Sequence, residues 1–109
     1  MEQNYSGIHT NVRQAILILL TFENKTKGFT SALHEISLAE RHIPNEDKKG
    51  KELIGKINTM IDEAGENLGE KPWEKVIDSM SENEKYKLSH LILDLYDHVS
   101  EKWYSFKIG

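Results

Sequence analysis

The sequence predicts an all-α protein, an antiparallel bundle of four main helices and one short helix. Apolar residues recur with the 3.6-residue period of an α-helix in five segments. Gly and Pro stand near the ends of several of these segments, where they stop helices, and the Asn-Gly and Asp-Gly pairs that mark β-hairpins are missing from the chain. A chain of 109 residues is long enough for one domain, so we predict a single helical domain over 1–109, with residues 1–7 expected to be flexible.

The first two helices are predicted over 9–25 and 30–43. The run Ala15–Leu20 (AILILL) makes the middle of the first helix apolar all round, which is typical of a helix buried centrally or lying between subunits. Its β-branched residues leave a strand as the alternative. Gly28 is interpreted as a stop signal after the first helix. Pro44 ends the second helix, because the residue before a proline is pushed away from helical angles.

The third helix is predicted over 46–68 and the short helix over 72–80. One stripe of the third helix is apolar: Leu53, Ile54, Ile57, Met60, Ile61, Ala64 and Leu68. Its polar start is expected to fray, and Gly69 and Pro72 separate it from the short helix. The stretch Gly50–Ile57 resembles a GxxxxGK phosphate loop but ends in Ile where Ser or Thr is needed, so we interpret it as helix.

The last helix is predicted over 82–105, and its apolar surface is unusually wide. Ser81 and Glu84 have the spacing of a capping box at its start. Beside an ordinary core stripe lies a second strip formed by Tyr86, Leu93, Tyr96 and Tyr104. Together the two cover about 220° of the helix, roughly twice the arc that one packed face requires. Either this is a central helix contacted on two sides, or the second strip is an interface.

The interface alternative predicts which residues bind a partner. Tyrosine enriches interface centres because it buries a large area and keeps a polar tip. The strip and its polar neighbours therefore form the predicted partner-binding set: Tyr86, His90, Leu93, Asp97 and Tyr104.

The charge is acidic overall, and the excess is concentrated in one segment. The formal net charge is -4, which argues against a nucleic-acid partner. Between Ile57 and Glu84 there are eight acidic and two basic residues. The predicted acidic face comprises Asp62, Glu63, Glu66, Glu70, Glu74 and Asp78. Such a face steers basic partners, and a solvated helix surface is the alternative interpretation.

Residues for catalysis or metal binding are not singled out by any pattern. The chain has no cysteine, and it contains neither a Gly-x-Ser-x-Gly nor a His-Glu-x-x-His motif. His90, Asp94 and His98 follow at i, i+4 and i+8, where the third drifts about 80° around the helix, so we expect exposed histidines and no metal site. His9 and Arg13 are one turn apart and either bind an anion or face solvent.

These observations predict a small cytoplasmic binding protein that is not an enzyme and needs no cofactor. No signal peptide and no apolar run of membrane-spanning length is visible in the sequence. By analogy of class alone, inhibitors, immunity proteins and phage anti-defence proteins are of this kind. The expected partner is a protein of unknown identity, and a homodimer through the last helix is one form of that prediction. A structural or assembly subunit is one alternative. A nucleotide binder at a subunit interface is another, with basic candidates at Arg13, Arg41, Lys48, Lys49 and Lys51.

Overall fold

The computed structural model describes residues 5–23, 25–66 and 73–108, and within them it contains five α-helices and no strand. The helices are α1 (Tyr5–Thr21), α2 (Lys25–Glu40), α3 (Lys48–Glu66), α4 (Trp73–Ser79) and α5 (Glu82–Ile108). The predicted fold class, four main helices and one short helix, is confirmed. The first apolar segment is a helix, and the strand alternative is wrong.

The helices form a ring in which α5 lies between α1 and α3. The main contacts join α1 to α2 and α5, and α3 to α5, while the short α4 packs on α2 and α3. The start of α1 meets the end of α5, where His9 stacks on Trp103. The start of α3 likewise meets the second half of α5, where Asp47 contacts His98. Both α1 and α3 therefore run antiparallel to α5.

The hydrophobic core fills the inside of this ring, and each helix contributes to it through residues at helical spacing. In α5 the core stripe consists of Leu88, Ile92, Leu95 and Val99, all fully buried. Facing them are Ile8, Val12 and Ala15 of α1, Ala32, Leu33 and Ile36 of α2, Leu53, Ile54 and Ile57 of α3, and Val76 and Ile77 of α4.

Two helices begin earlier than the sequence predicts. Helix α1 begins at Tyr5, whose side chain is buried, so residues 5–7 of the stretch expected to be flexible form its first turn. Helix α2 begins at Lys25, which places Gly28 inside it, and the interpretation of Gly28 as a stop signal is wrong. A Cβ atom on Gly28 would lie 3.1 Å from Cβ of Phe22. The glycine thus permits the close approach of the α1–α2 turn.

Local signals at the start of α5 and within α3 agree with the structure. The amide of Ser81 donates to Oε1 of Glu84 at 2.9 Å, and the amide of Glu84 donates to Oγ of Ser81 at 3.1 Å, which completes the predicted capping box. The segment 50–57 lies within α3 and is helical rather than a phosphate loop. Leu68, Gly69 and Pro72 lie outside the described residues. No helix among those described combines the length and the apolar character needed to cross a membrane.

Candidate functional site

Exposed apolar side chains are concentrated on one side of the molecule. Of the seven large apolar side chains that are exposed in the described part of the chain, six lie on α1, on α5 or just after α1, and the seventh is Trp73 of α4. We call these six the α1–α5 face: Leu17, Leu20, Phe22, Tyr86, Leu93 and Tyr104. Globular proteins seldom leave such a cluster in water without a binding role.

The packing of α5 explains why part of its wide apolar surface stays in water. Contacts with α1 and α3 cover two sides of the helix, as expected of a central helix. The outer strip remains uncovered, with Tyr86 63%, Leu93 44% and Tyr104 54% exposed. Tyr96 alone of the predicted second strip is half-buried, its ring stacked 5.6 Å from that of His9. The central-helix interpretation therefore accounts for the covered sides of α5, and the interface interpretation stays a prediction for the exposed strip.

The five predicted partner-binding residues share one side of α5. Helical geometry places them within about 60° of arc, and His90 and Asp97 are exposed like the three apolar members. The rings of Tyr86 and His90 meet edge to face, with centroids 4.6 Å apart and an interplanar angle of 65°. This contact orients the most exposed tyrosine of the strip on a rigid helix.

A cleft opens beside Tyr86 where the α1–α2 turn meets the start of α5. Its volume is about 260 Å³. Leu19, Phe22, Phe29 and Tyr86 give it apolar walls, and charged side chains of Lys25, Glu82 and Lys85 stand around it. On the other flank of α5, Tyr86 also borders an open groove formed with Met60 and Leu91. Tyr86 thus forms a ridge between two depressions.

An aromatic cluster closes the far end of the seam between α1 and α5. The rings of His9 and Trp103 are nearly parallel, with centroids 4.5 Å apart, and Tyr104 meets Trp103 edge to face at 4.9 Å. Burial, and to a lesser extent the charge of Arg13, lowers the pKa of His9. His9 therefore packs against α5 and does not simply face solvent, whereas anion binding by His9 and Arg13 stays a prediction.

A group of hydrogen-bonded polar side chains lies inside the protein, where α1, α3 and α5 meet. Tyr5 donates its hydroxyl to Oδ2 of Asp47 at 2.6 Å, and the amide of Gly50 donates to Oδ1 at 3.0 Å. Nε2 of His98 lies 2.8 Å from Oδ1 and 2.9 Å from Oδ2 of the same carboxylate. Asp47 and His98 are both only 8% exposed. We call this group the Asp47 cluster.

Electrostatics in the Asp47 cluster favour an ionised carboxylate. Burial by itself raises the pKa of Asp47, but hydrogen bonds from Tyr5, Gly50 and His98, together with the charge of His98, outweigh it and hold that pKa below its usual value. Burial also raises the pKa of Tyr5, with further contributions from the hydrogen bond to Asp47 and from nearby negative charge. The hydroxyl therefore keeps its proton and remains a donor.

The Asp47 cluster corrects two sequence predictions. His98 was expected among the exposed histidines of the last helix, but it is buried against Asp47. The start of the third helix was expected to fray, yet Asp47 caps it and binds it to α1 and α5. Asp47 three residues before Gly50 was a local signal for a cap. The helical wheel places His98 at the edge of the core stripe, close to positions that stay exposed, so no local signal distinguished its burial.

The predicted acidic face is exposed where the structure describes it. Asp62, Glu63 and Glu66 lie near the end of α3, Glu74 and Asp78 lie on α4, and Glu70 lies outside the described residues. Asp78 accepts a hydrogen bond from the hydroxyl of Thr26, which ties α4 to the start of α2. Among the described side chains, no three histidines and carboxylates come together as a metal site.

The basic candidates for nucleotide binding do not meet at the cleft beside Tyr86. Arg13 is on α1, Arg41 follows α2, and the lysines at 48, 49 and 51 lie at the exposed start of α3. None of the five lines that cleft.

The chain matches no protein-family model, no curated protein sequence and no solved structure.

Proposed function

We propose that this protein is a protein-binding module that docks a partner on the α1–α5 face and acts by covering the partner's surface. The observation that carries the proposal is the concentration of exposed apolar side chains there, with Tyr86, Leu93 and Tyr104 aligned along α5. Tyrosine anchors surrounded by near-neutral contacts dominate the energy of many interfaces. A rigid helix presents them with little loss of conformational entropy on binding.

The cleft beside Tyr86 supports a protein partner over a nucleotide. Its walls are aromatic and aliphatic, and the charges around it include Glu82, which lies 4.0 Å from Lys25 and 3.9 Å from Lys85. A phosphate group would need basic side chains that are not already engaged by a carboxylate. An apolar side chain of a partner protein suits this cleft better, with Tyr86 as the wall that both molecules share.

The Asp47 cluster contributes to binding indirectly. It joins the starts of α1 and α3 to α5 and so fixes the two helices that flank the exposed strip. Asp47 and His98 could in principle perform acid–base chemistry, but both are buried, which keeps a substrate away from them. We assign the cluster a structural role that keeps the α1–α5 face rigid.

The proposal is tested with a double variant, Tyr86→Ala with Leu93→Asp. Affinity capture from the source cells, followed by mass spectrometry, identifies a partner, and calorimetric titration with that purified partner then gives the affinity. We expect the double variant to weaken binding more than 100-fold, since two side chains that the partner buries contribute about 2 kcal/mol or more each. Circular dichroism should remain helical, because both side chains are exposed.

Matched controls separate the face from general surface effects. Trp73→Ala removes an exposed aromatic side chain away from the face, and Lys49→Glu reverses an exposed charge at the start of α3. Both should bind the partner within about twofold of the unaltered protein. Unchanged affinity in the double variant, or an equal loss in the two controls, would overturn the proposal.

A further inference from the structure

We propose that a second copy of this chain docks on the α1–α5 face, with the two α5 helices antiparallel about a two-fold axis close to Leu93, which rests on the proposed function of that face. A two-fold contact uses the same patch on both subunits, so the patch must be complementary to itself. The distribution of charge along α5 meets this condition.

On the outer side of α5, a positive charge and an imidazole precede Leu93, and negative charges follow it. Lys87 and His90 precede Leu93, whereas Asp97 and Glu101 follow it, and all four are exposed. Asp94 adds another acid to the second half. At the start of α5, Glu82 lies close to two lysines of its own chain, so its carboxylate does not make the first half of the helix acidic. Arg13 of α1 stands on the outer side beside the acidic half and offsets only part of its charge.

An antiparallel pair brings these halves together in one register. With the axis between Leu93 and Asp94, His90 lies opposite Asp97 of the second copy, and Lys87 lies within one residue rise, about 1.5 Å, of Glu101 of the second copy. Helical geometry also places Lys87 and Glu101 on the flank of α5 that faces α3. The two-fold operation therefore leaves Lys87 of one copy and Glu101 of the other on the same side of the contact. A parallel pair would instead oppose like charges.

The apolar residues occupy the middle of the same contact. Leu93 meets its own copy at the axis, and Tyr86 of each copy lies opposite the acidic end of the other. From Tyr86 to Tyr104 the strip is about 27 Å long. With Leu20 of α1 included, the face is about two helices wide, roughly 500 Å² per copy. That is below the roughly 800 Å² per partner of a standard interface, so we expect a weak, concentration-dependent dimer.

Sedimentation equilibrium of the full chain, from about 1 µM to about 1 mM, tests the inference. We expect a reversible monomer–dimer equilibrium that weakens with salt, because its charge pairs lie at the rim. Lys87→Glu and Glu101→Lys should each weaken the dimer at least tenfold, since the two-fold axis doubles every repulsion. The double variant K87E/E101K should restore dimerisation to within about threefold.

Controls keep the outcome decisive. Lys51→Glu reverses an exposed charge on α3 and should leave the dimer unchanged, while Leu93→Asp should give a monomer with a helical circular dichroism spectrum. A monomer over the whole range, or a dimer that the double reversal fails to restore, overturns this inference. In either case, loss of binding to a different protein in the Tyr86→Ala, Leu93→Asp variant would still support the proposed function.

Discussion

Nε2 of His98 lies within 2.9 Å of both carboxylate oxygens of Asp47, although 51 residues separate the two in the chain. Because an ionised carboxylate only accepts hydrogen bonds, the imidazole carries its proton on Nε2. The same carboxylate caps α3 through Gly50 and receives the hydroxyl of Tyr5. One side chain therefore joins three helices, and its removal should affect more than one of them.

Asp47→Ala should be among the most destabilising single substitutions in this protein. It removes the cap of α3 and leaves a buried imidazole and a buried hydroxyl without their acceptor. Each buried donor left without its acceptor costs about 1–3 kcal/mol in the free energy of unfolding. Urea denaturation measures the loss. Asn45→Ala, an exposed change in the same loop, should cost less than about 0.5 kcal/mol, and an equally small loss for Asp47→Ala would contradict the role of the cluster.

The stability of the protein should fall at acidic pH in a way that depends on Asp47. Its pKa in the folded state is below the ordinary value of 3.8, so the unfolded chain binds a proton at higher pH than the folded chain does. The stabilisation is complete above that ordinary value and is lost as the pH falls through the folded-state pKa. Urea denaturation between about pH 2 and about pH 6 should show a shallower acid dependence for Asp47→Asn than for the unaltered protein. Parallel curves would show that Asp47 is not the titrating group.

Two glycines of α3 should respond oppositely to alanine. Alanine in a helix interior is more stable than glycine by up to about 1 kcal/mol, and Gly55→Ala should show this gain because no atom lies within 4 Å of the added Cβ. At Gly50 the added Cβ would lie 2.7 Å from Oδ2 of Asp47. That oxygen is held by Tyr5 and cannot move away freely, so Gly50→Ala should destabilise by about 1–3 kcal/mol. Thermal unfolding of the pair measures the difference, and a gain at both sites would contradict the prediction.

The capping box should contribute to the stability of α5. Ser81→Ala removes the oxygen that accepts from the amide of Glu84, and loss of such a cap costs about 1 kcal/mol. Hydrogen bonds from the amide and the hydroxyl of Ser81 also lower the pKa of Glu84. Because Ser81→Ala keeps the amide, which is the larger cause, the pKa of Glu84 should rise only part of the way towards its ordinary value, and a carboxyl-selective NMR titration can follow this rise. Asn83→Ala, an exposed change in the same turn, should leave the pKa of Glu84 in place.

The imidazole of His9 should titrate below 6.5 in an NMR experiment. Burial against α5 lowers its pKa first, and the charge of Arg13 lowers it further. Arg13→Gln should therefore raise the pKa of His9 only part of the way back. Because the folded state disfavours the charged imidazole, the associated stabilisation is present above 6.5 and is lost as the pH falls through the folded-state pKa. A value at or above 6.5 would mean that the stack on Trp103 does not persist in solution.

Local sequence signals account for the helices better than for their ends. The stripe of α3 and the capping box of α5 depend on residues within four positions of one another, so the sequence contains the whole interaction. The starts of α1 and α2 were predicted four and five residues too late. At Tyr5 the deciding contact is with Asp47, 42 residues away, and at Gly28 it is the packing of Phe22. A local pattern cannot report such contacts.

The candidate site shows the same division. Helical spacing was enough to place Tyr86, Leu93 and Tyr104 on one side of the last helix, but their exposure depended on which sides α1 and α3 cover. The packing of neighbouring helices against α5 also buried His98, whose position on the helical wheel differs little from that of exposed neighbours.

By itself the sequence determined that this chain is a bundle of amphipathic helices, because helix periodicity, caps and breakers act over a few residues. Only the tertiary structure decided that Asp47 and His98 form a buried pair and that an apolar strip of α5 remains in water. Both outcomes depend on how distant helices pack, since burial is a property of the neighbours that a side chain acquires and not of the side chain alone.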